Sequence, residues 1–160
     1  MTIAVGDHIP DVKVQTPTAE GPKPVQTSEL LGKGKVVLFG VPGAFTPTCS
    51  DYHLPGFVLR ADELAAKGVD TVACVAVNDV FVMSAWGKDR EVGDKVVLIA
   101  DGSADFTRAL GLEVDLTGGG LGVRSKRYAA VLEDGVVKEL LVEDGLGLDV
   151  SSADAVLAKI

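Results

Sequence analysis

The chain has 160 residues, a net charge of −8, 47% apolar residues and 24% charged ones. That length suits one globular domain with a hydrophobic core of its own. The acidic balance argues against nucleic acid as a partner, and no stretch is long and apolar enough to cross a bilayer.

The first ten residues lack a basic segment followed by an apolar run, so no secretory signal is expected and the cytoplasm is the expected compartment. Six of the seven prolines (Pro10, Pro17, Pro22, Pro24, Pro42 and Pro47) precede Pro55, which predicts extended segments and loops there in place of helices. Lys35 to Val41 holds a β-branched and aromatic run that reads as a buried strand, ended by Gly40, Pro42, Gly43 and Pro47. A helical pattern runs from Ser50 to about Lys67, with a kink expected at Pro55 and a cap at Gly68. Val69 to Val77 is a near-continuous apolar run, as in a parallel strand buried on both faces. Asn78 and Asp79 are placed to cap a second helix through about Lys88. Val96 to Ala100 reads as a third strand, and Asp101 to Ser103 lead into a helix ending at Gly111. After a glycine loop at Gly118 to Gly122, Arg127–Leu132 and Val136–Val142 flank an Asp134-Gly135 hairpin signal. Ser151 or Ser152 caps a last helix. Parallel crossovers followed by an antiparallel hairpin predict an α/β fold, a mixed central sheet with helices on both faces, in a single domain over residues 1–160.

Two cysteines are too few for a disulfide scaffold, and with two histidines a zinc site would need an unusual ligand set, so no metal is expected. A low cysteine count fits a reducing compartment, where a thiol is either inert or reactive. Cys49 lies in the loop Pro42-Gly-Ala-Phe-Thr-Pro-Thr-Cys, just ahead of the helix expected from Ser50. The unpaired N–H groups and positive dipole end of a helix start favour a thiolate there. Thr46 offers a hydroxyl to the sulfur or to an incoming oxygen, and Pro42 brings a ring without an N–H that shields the thiolate from water. His53, one turn after Cys49, invites a Cys–His hydrolase, but a base on the same helix is poorly aimed at its own nucleophile; the blander alternative is a packed histidine. Cys74, mid-strand among apolar neighbours, reads as a buried inert thiol or as a second thiol that resolves oxidised Cys49. Phe45, Phe81 and Trp86 flank the strand end where α/β folds place ligands; they line that end, form a subunit contact or belong to the core. The basic cluster Arg124, Lys126 and Arg127 reads, taken alone, as a solvated loop.

The motif Pro42-x-x-x-Thr46-x-x-Cys49, the fuller string VPGAFTPTCSDYHLPGF, the later VNDVFVMSAWGK and the RSKRYA segment resemble, in that order, the type II or atypical two-cysteine peroxiredoxins of the thioredoxin-like superfamily. The resemblance covers essentially the whole chain, from GDHIPD to the last helix. It implies a thioredoxin-like fold and hydroperoxide reduction without metal, haem or flavin. By position Cys49 matches the peroxidatic cysteine, Thr46 its hydroxyl partner, Pro42 the shielding proline and Arg127, just before Tyr128, the site arginine, with Arg124 close enough to compete. Strand alternation supports Arg127, since it shares a face with Ala129 and Val131. Mammalian members carry a resolving cysteine in the segment matching Asp149 to Ser152, which here has no thiol; plant members carry one on the strand that holds Cys74. The resemblance further implies a homodimer built around the active-site loops, and glutathione with glutaredoxin, or thioredoxin, as reductant. A sensor in which Cys49 oxidation is a signal remains a second reading.

Overall fold

The computed structural model describes residues 1–160. The prolines sort the N-terminal part. β1 (Lys13–Thr18) and β2 (Gly21–Gln26) form an antiparallel hairpin. β2, with Pro22 and Pro24, lies at an edge of the sheet, where a missing N–H costs no interior ladder bond. A short helix, α1 (Thr27–Leu31), follows in the proline-free stretch after Pro24. This departs from the expectation of extended chain only, because nothing between Pro24 and Pro42 forbids a turn of helix.

β3 (Lys35–Val41) is the expected buried strand. The helical region after it differs in detail from the sequence reading. Helical conformation already begins at Pro47, and the first helical hydrogen bond runs from Ser50 N–H to Thr46 O at 2.9 Å. Cys49 therefore sits inside the first turn, not ahead of it. Proline at the first helical position loses nothing, since its N–H would be unpaired there anyway. Pro55 is accommodated by a π-turn over Cys49–His53, closed by Leu54 N–H donating to Cys49 O. A proline ring crowds the carbonyl four residues back and removes one α-type bond, and a wider turn relieves both. The helix continues as α2 (Leu54–Leu59) and α3 (Ala61–Ala66), broken at Arg60, and ends at Gly68 with φ of 88°.

β4 (Thr71–Ala76) leads to α4 (Val80–Asp89), capped by the Asp79 carboxylate, which accepts from Val82 N–H at 2.8 Å. β5 (Val97–Ala100), α5 (Asp105–Leu110) and a small antiparallel pair, β6 (Glu113–Asp115) with β7 (Val123–Ser125), come next. That pair brackets the glycine loop, and its three-residue strands are too short for period-2 alternation to signal them. β8 (Tyr128–Glu133) and β9 (Val136–Val142) form the expected hairpin, with positive φ at both Asp134 and Gly135. α6 (Ala153–Leu157) closes the chain, and Ser152, not Ser151, is its cap.

The seven-stranded sheet runs β2-β1-β5-β4-β3-β8-β9, parallel among β5, β4 and β3 and antiparallel outside them. One face carries Phe39, Cys74 and Ala129 under Phe57, Leu64, Trp86 and Val156 of α2, α3, α4 and α6. The other carries Leu38, Ile99 and Tyr128 under Leu31 of α1 and Phe106 of α5. Helices thus cover both faces, as expected. Gly40 pairs with Tyr128, and a Cβ at Gly40 would stand 2.2 Å from the tyrosine ring, so only glycine fits the end of β3. No helix is long and apolar enough to cross a membrane.

Candidate active site

The antiparallel pairing of β3 with β8 decides what meets. Gly40 near the end of β3 is opposite Tyr128 at the start of β8, so the loop leaving β3 and the residue entering β8 emerge at the same place. That loop carries Cys49, and the entering residue is Arg127. The guanidinium Nη2 donates to Cys49 Sγ at 3.1 Å. Both residues are buried, Arg127 being 2% exposed and Cys49 fully enclosed. The alternation argument holds: Ala129 and Val131 belong to the same cluster as Cys49, and Tyr128 to the opposite one.

Arg127 is a buried cation that takes part in none of the ion pairs, which involve Arg60 and Arg90. Its other hydrogen bonds go to neutral acceptors. Nε donates to Leu146 O at 3.0 Å, and Nη1 lies 3.0 Å from His53 Nδ1. Buried charges are ordinarily paired, and the one group in contact with Arg127 that can become an anion is the Cys49 sulfur.

His53 has no freedom to act as a base. Arginine only donates, so Nδ1 accepts from it; the carbonyl of Ser151, 2.9 Å from Nε2, only accepts, so Nε2 carries the hydrogen. Both ring nitrogens are committed. Burial, and then the nearby Arg127 charge, press its pKa down to about 3, although the hydrogen bond to Ser151 and the charge of Glu143 work the other way. The ring packs at 4.8 Å from that of Phe39 and 5.6 Å from that of Phe57. The Cys–His hydrolase reading fails on this geometry, and the packed-histidine reading holds.

The loop over the sulfur is pinned from several sides. Ala44 N–H donates to Asn78 Oδ1 at 2.9 Å, so Asn78, expected as a cap, braces the loop while Asp79 caps α4. Arg124 does not reach Cys49; its Nη1 donates to Pro42 O at 3.2 Å and its Nε to Leu121 O at 2.9 Å. Lys126 N–H bonds Leu112 O, away from the cysteine. The Thr46 hydroxyl donates to Gly43 O at 2.7 Å and not to the sulfur, which leaves its oxygen lone pairs free to accept. Phe45 is exposed and holds φ of 64°, a left-handed conformation that a bulky residue rarely adopts. Phe81 is exposed as well, but Trp86 is fully buried, its indole N–H donating to Ser50 Oγ at 2.9 Å; of the readings open to Trp86 the core one holds, and the subunit contact is left to Phe45 and Phe81. The polar edge of Trp86 found a partner inside, which is how a large indole becomes core. Cys74 lies in the same buried cluster as Cys49, both thiols are free, and burial pushes the Cys74 thiol well above its ordinary pKa.

Four participants escaped sequence reasoning. Leu146 and Ser151 contribute backbone carbonyls, which no side-chain pattern reveals. Glu143 and Ser50 act through neighbours, and nothing in their sequence context marks them. The early helix start did have a signal, Pro47 at the first helical position.

The family model for redoxins matches residues 4–157. Among curated proteins, the chain is 53% identical to the chloroplastic peroxiredoxin-2E-2 of Oryza sativa subsp. japonica, over 98% of this chain and 72% of the rice protein. The chain belongs to the peroxiredoxin family. It is 50% identical to peroxiredoxin-2B of Arabidopsis thaliana, over 97% of this chain and 96% of that protein. Among solved structures, reduced Prx3 of Vibrio vulnificus in complex with hydrogen peroxide superposes with a TM-score of 0.94 at 49% identity, covering 99% of each chain. The fold is therefore thioredoxin-like, as the resemblance implied, and the protein is a peroxiredoxin with the family's activity, thiol-dependent reduction of hydroperoxides.

Proposed function

We propose that Cys49 is the nucleophile of this peroxidase and that Arg127, Thr46 and the first-turn N–H groups hold the hydroperoxide against it. The contact that carries this reading is Arg127 Nη2 on Cys49 Sγ, with no carboxylate competing for the guanidinium. A fixed cation 3.1 Å from the sulfur is in place to stabilise charge growing on the departing oxygen. Thr46, its hydroxyl hydrogen turned to Gly43 O, presents lone pairs that accept from the O–H of ROOH. Pro42 and its loop exclude water from the sulfur, and Arg124 holds that loop by its carbonyl. The thiolate attacks the nearer peroxide oxygen, the O–O bond breaks, and the leaving alkoxide or hydroxide takes a proton to give alcohol or water. Cys49 becomes a sulfenic acid.

Reduction needs two thiols. One condenses with the sulfenic acid, releasing water and forming a mixed disulfide; the second displaces it, regenerating Cys49. Cys49 is fully buried, so the helix start must open first, and the π-turn between Pro47 and Pro55 is the weak place for that. Glutathione with glutaredoxin is the proposed reductant in preference to thioredoxin, because Cys74 is buried mid-strand and a small external thiol needs only access to the oxidised sulfur. The two free buried cysteines fit a reducing compartment, and the cytoplasm is proposed. Two copies of this single domain would pair through exposed aromatics, for which Phe45, Phe81 and Tyr52 are the candidates.

The test is peroxide turnover by wild type and Cys49→Ser, with glutathione plus glutaredoxin or with thioredoxin as electron source. The expected result is many turnovers with the first system and none by Cys49→Ser. Substantial turnover by that variant would remove the assignment, and a single turnover by wild type would make Cys49 a sensor.

A further inference from the structure

We infer that Glu143 is a positioning residue for the peroxidase reaction: its carboxylate folds the loop 144–151 so that two backbone carbonyls aim Arg127 at Cys49. The inference rests on the proposed role of Arg127 and adds a residue that touches neither substrate nor sulfur. Glu143 directly follows β9 and Arg127 directly precedes β8, and the Glu143 N–H donates to Arg127 O at 3.0 Å, which places the two residues side by side at the paired ends of these strands. One carboxylate oxygen, Oε2, gathers three donors from the far end of the loop: Asp149 N–H at 2.8 Å, Ser151 N–H at 2.9 Å and the Ser151 hydroxyl at 2.7 Å.

Curled around that oxygen, the loop turns two carbonyls inward. Leu146 O takes Arg127 Nε and Ser151 O takes His53 Nε2–H. The second contact decides a tautomer. With its hydrogen held at Nε2, His53 must offer a lone pair at Nδ1, and Nη1 of Arg127 donates into it. Two of the guanidinium's three nitrogens are thereby fixed by groups that Glu143 arranges, and the third, Nη2, is left on Cys49 Sγ. Without the carboxylate the Ser151 N–H and hydroxyl lose their acceptor, the carbonyl is released, and His53 is free to take the other tautomer, whose Nδ1–H would oppose the arginine. The charge of Glu143 also enters the site: Arg127 has no carboxylate in contact, and Glu143 faces it across Ser151 and His53.

The experiment compares Glu143→Ala, Glu143→Gln and Ser151→Ala with wild type. Three quantities are read: the His53 tautomer by nitrogen NMR of histidine-labelled protein, the rate of Cys49 alkylation by iodoacetamide at neutral pH, and kcat/KM for hydrogen peroxide. In Glu143→Ala the Nε2–H tautomer should lose its dominance, and alkylation and kcat/KM should fall together by about tenfold, as when a partner that orients a histidine is removed from other sites. Glu143→Gln should restore most of each, because an amide oxygen still accepts from the same donors. Ser151→Ala keeps the carbonyl and loses one donor, so its effects should have the same sign and be smaller. Wild-type tautomer and alkylation rate in both alanine variants, whatever their melting temperatures, would overturn the inference. Failure of the underlying reading looks different: Arg127→Ala would then alkylate and turn over like wild type, while the tautomer in Glu143→Ala would still report the loop.

Discussion

Arg127 Nη2 donates to Cys49 Sγ across 3.1 Å although the residues are 78 positions apart in sequence. The distance is closed by one register pair, Gly40 with Tyr128, which sets the end of β3 against the start of β8. The contact thus follows from a strand pairing. The parallel half of the sheet delivers Cys49 on a loop and helix start, and the antiparallel half delivers the Arg127 guanidinium from the opposite direction.

Loss of Arg127 should be far more damaging than loss of Arg124. Arg127 is buried against the sulfur, whereas Arg124 bonds carbonyls of the loops at Pro42 and Leu121. A charged contact made to the transition state is worth about a hundredfold in rate, so Arg127→Ala should lower kcat/KM by about that factor or more. Arg124→Ala should loosen the loop with a smaller loss. Steady-state kinetics of the two variants checks the ranking, and the reverse order would transfer the role to Arg124.

The contrast between these arginines also marks how far the sequence could be read. Both lie in one basic cluster, and period-2 alternation with Ala129 and Val131 was enough to point Arg127 inward, because side-chain direction on a strand depends only on parity. The buried strands and the Asp134-Gly135 turn were legible for similar local reasons: β-branched runs and residues that tolerate positive φ. What was not legible came from tertiary contact. Trp86 is open between site lining, subunit contact and core until Ser50 supplies a partner for its N–H. The carbonyls of Leu146 and Ser151 belong to a loop whose residue types carry no motif, and the π-turn at Cys49–His53 follows from how Pro55 is accommodated.

Acid should unfold the protein partly through His53. Its folded-state pKa is about 3 against an ordinary 6.5. Between those values the unfolded chain binds a proton that the folded chain refuses, so this stabilisation is complete above the ordinary value and is lost as pH falls towards 3. The slope is at most about 1.4 kcal/mol per pH unit. Urea denaturation near pH 7 and near pH 5 should show wild type losing up to about 2 kcal/mol more than His53→Gln over that interval. Equal losses would mean that His53 is not held neutral in the fold. The interval stays above the ordinary carboxylate range, so the titration of Glu143 does not contribute.

Self-association should follow the exposed aromatics. Phe45, Tyr52 and Phe81 are exposed, and Phe45 holds its left-handed backbone in the loop over Cys49. Exposed aromatics are what a subunit contact covers. Sedimentation should show a dimer at high micromolar concentration for wild type and a shift to monomer for Phe81→Glu. Monomer throughout for the wild-type protein would remove the proposed pairing.

Cys74 should be dispensable for turnover. It sits in the middle of β4, opposite Phe39 of β3 in register, fully buried. Burial raises its thiol well above the ordinary range, and the Cys49 sulfur adds to that, against a smaller opposing effect of Arg127. The neutral thiol is a poor nucleophile towards a sulfenic acid. A disulfide also needs Cα atoms within roughly 7 Å and Cβ vectors that converge. Cys74 cannot leave the interior of the sheet without breaking the pairings of β4 with β3 and β5, so a bridge would require either β4 to open or the Cys49 turn to unwind inward. Cys74→Ser should therefore keep the wild-type rate with glutathione and glutaredoxin. Mass spectrometry of wild type after one equivalent of peroxide should find Cys49 as sulfenic acid or, with glutathione present, as its mixed disulfide. A Cys49–Cys74 bridge in wild type, together with loss of turnover in Cys74→Ser, would make Cys74 the resolving thiol and require one of those rearrangements during each cycle.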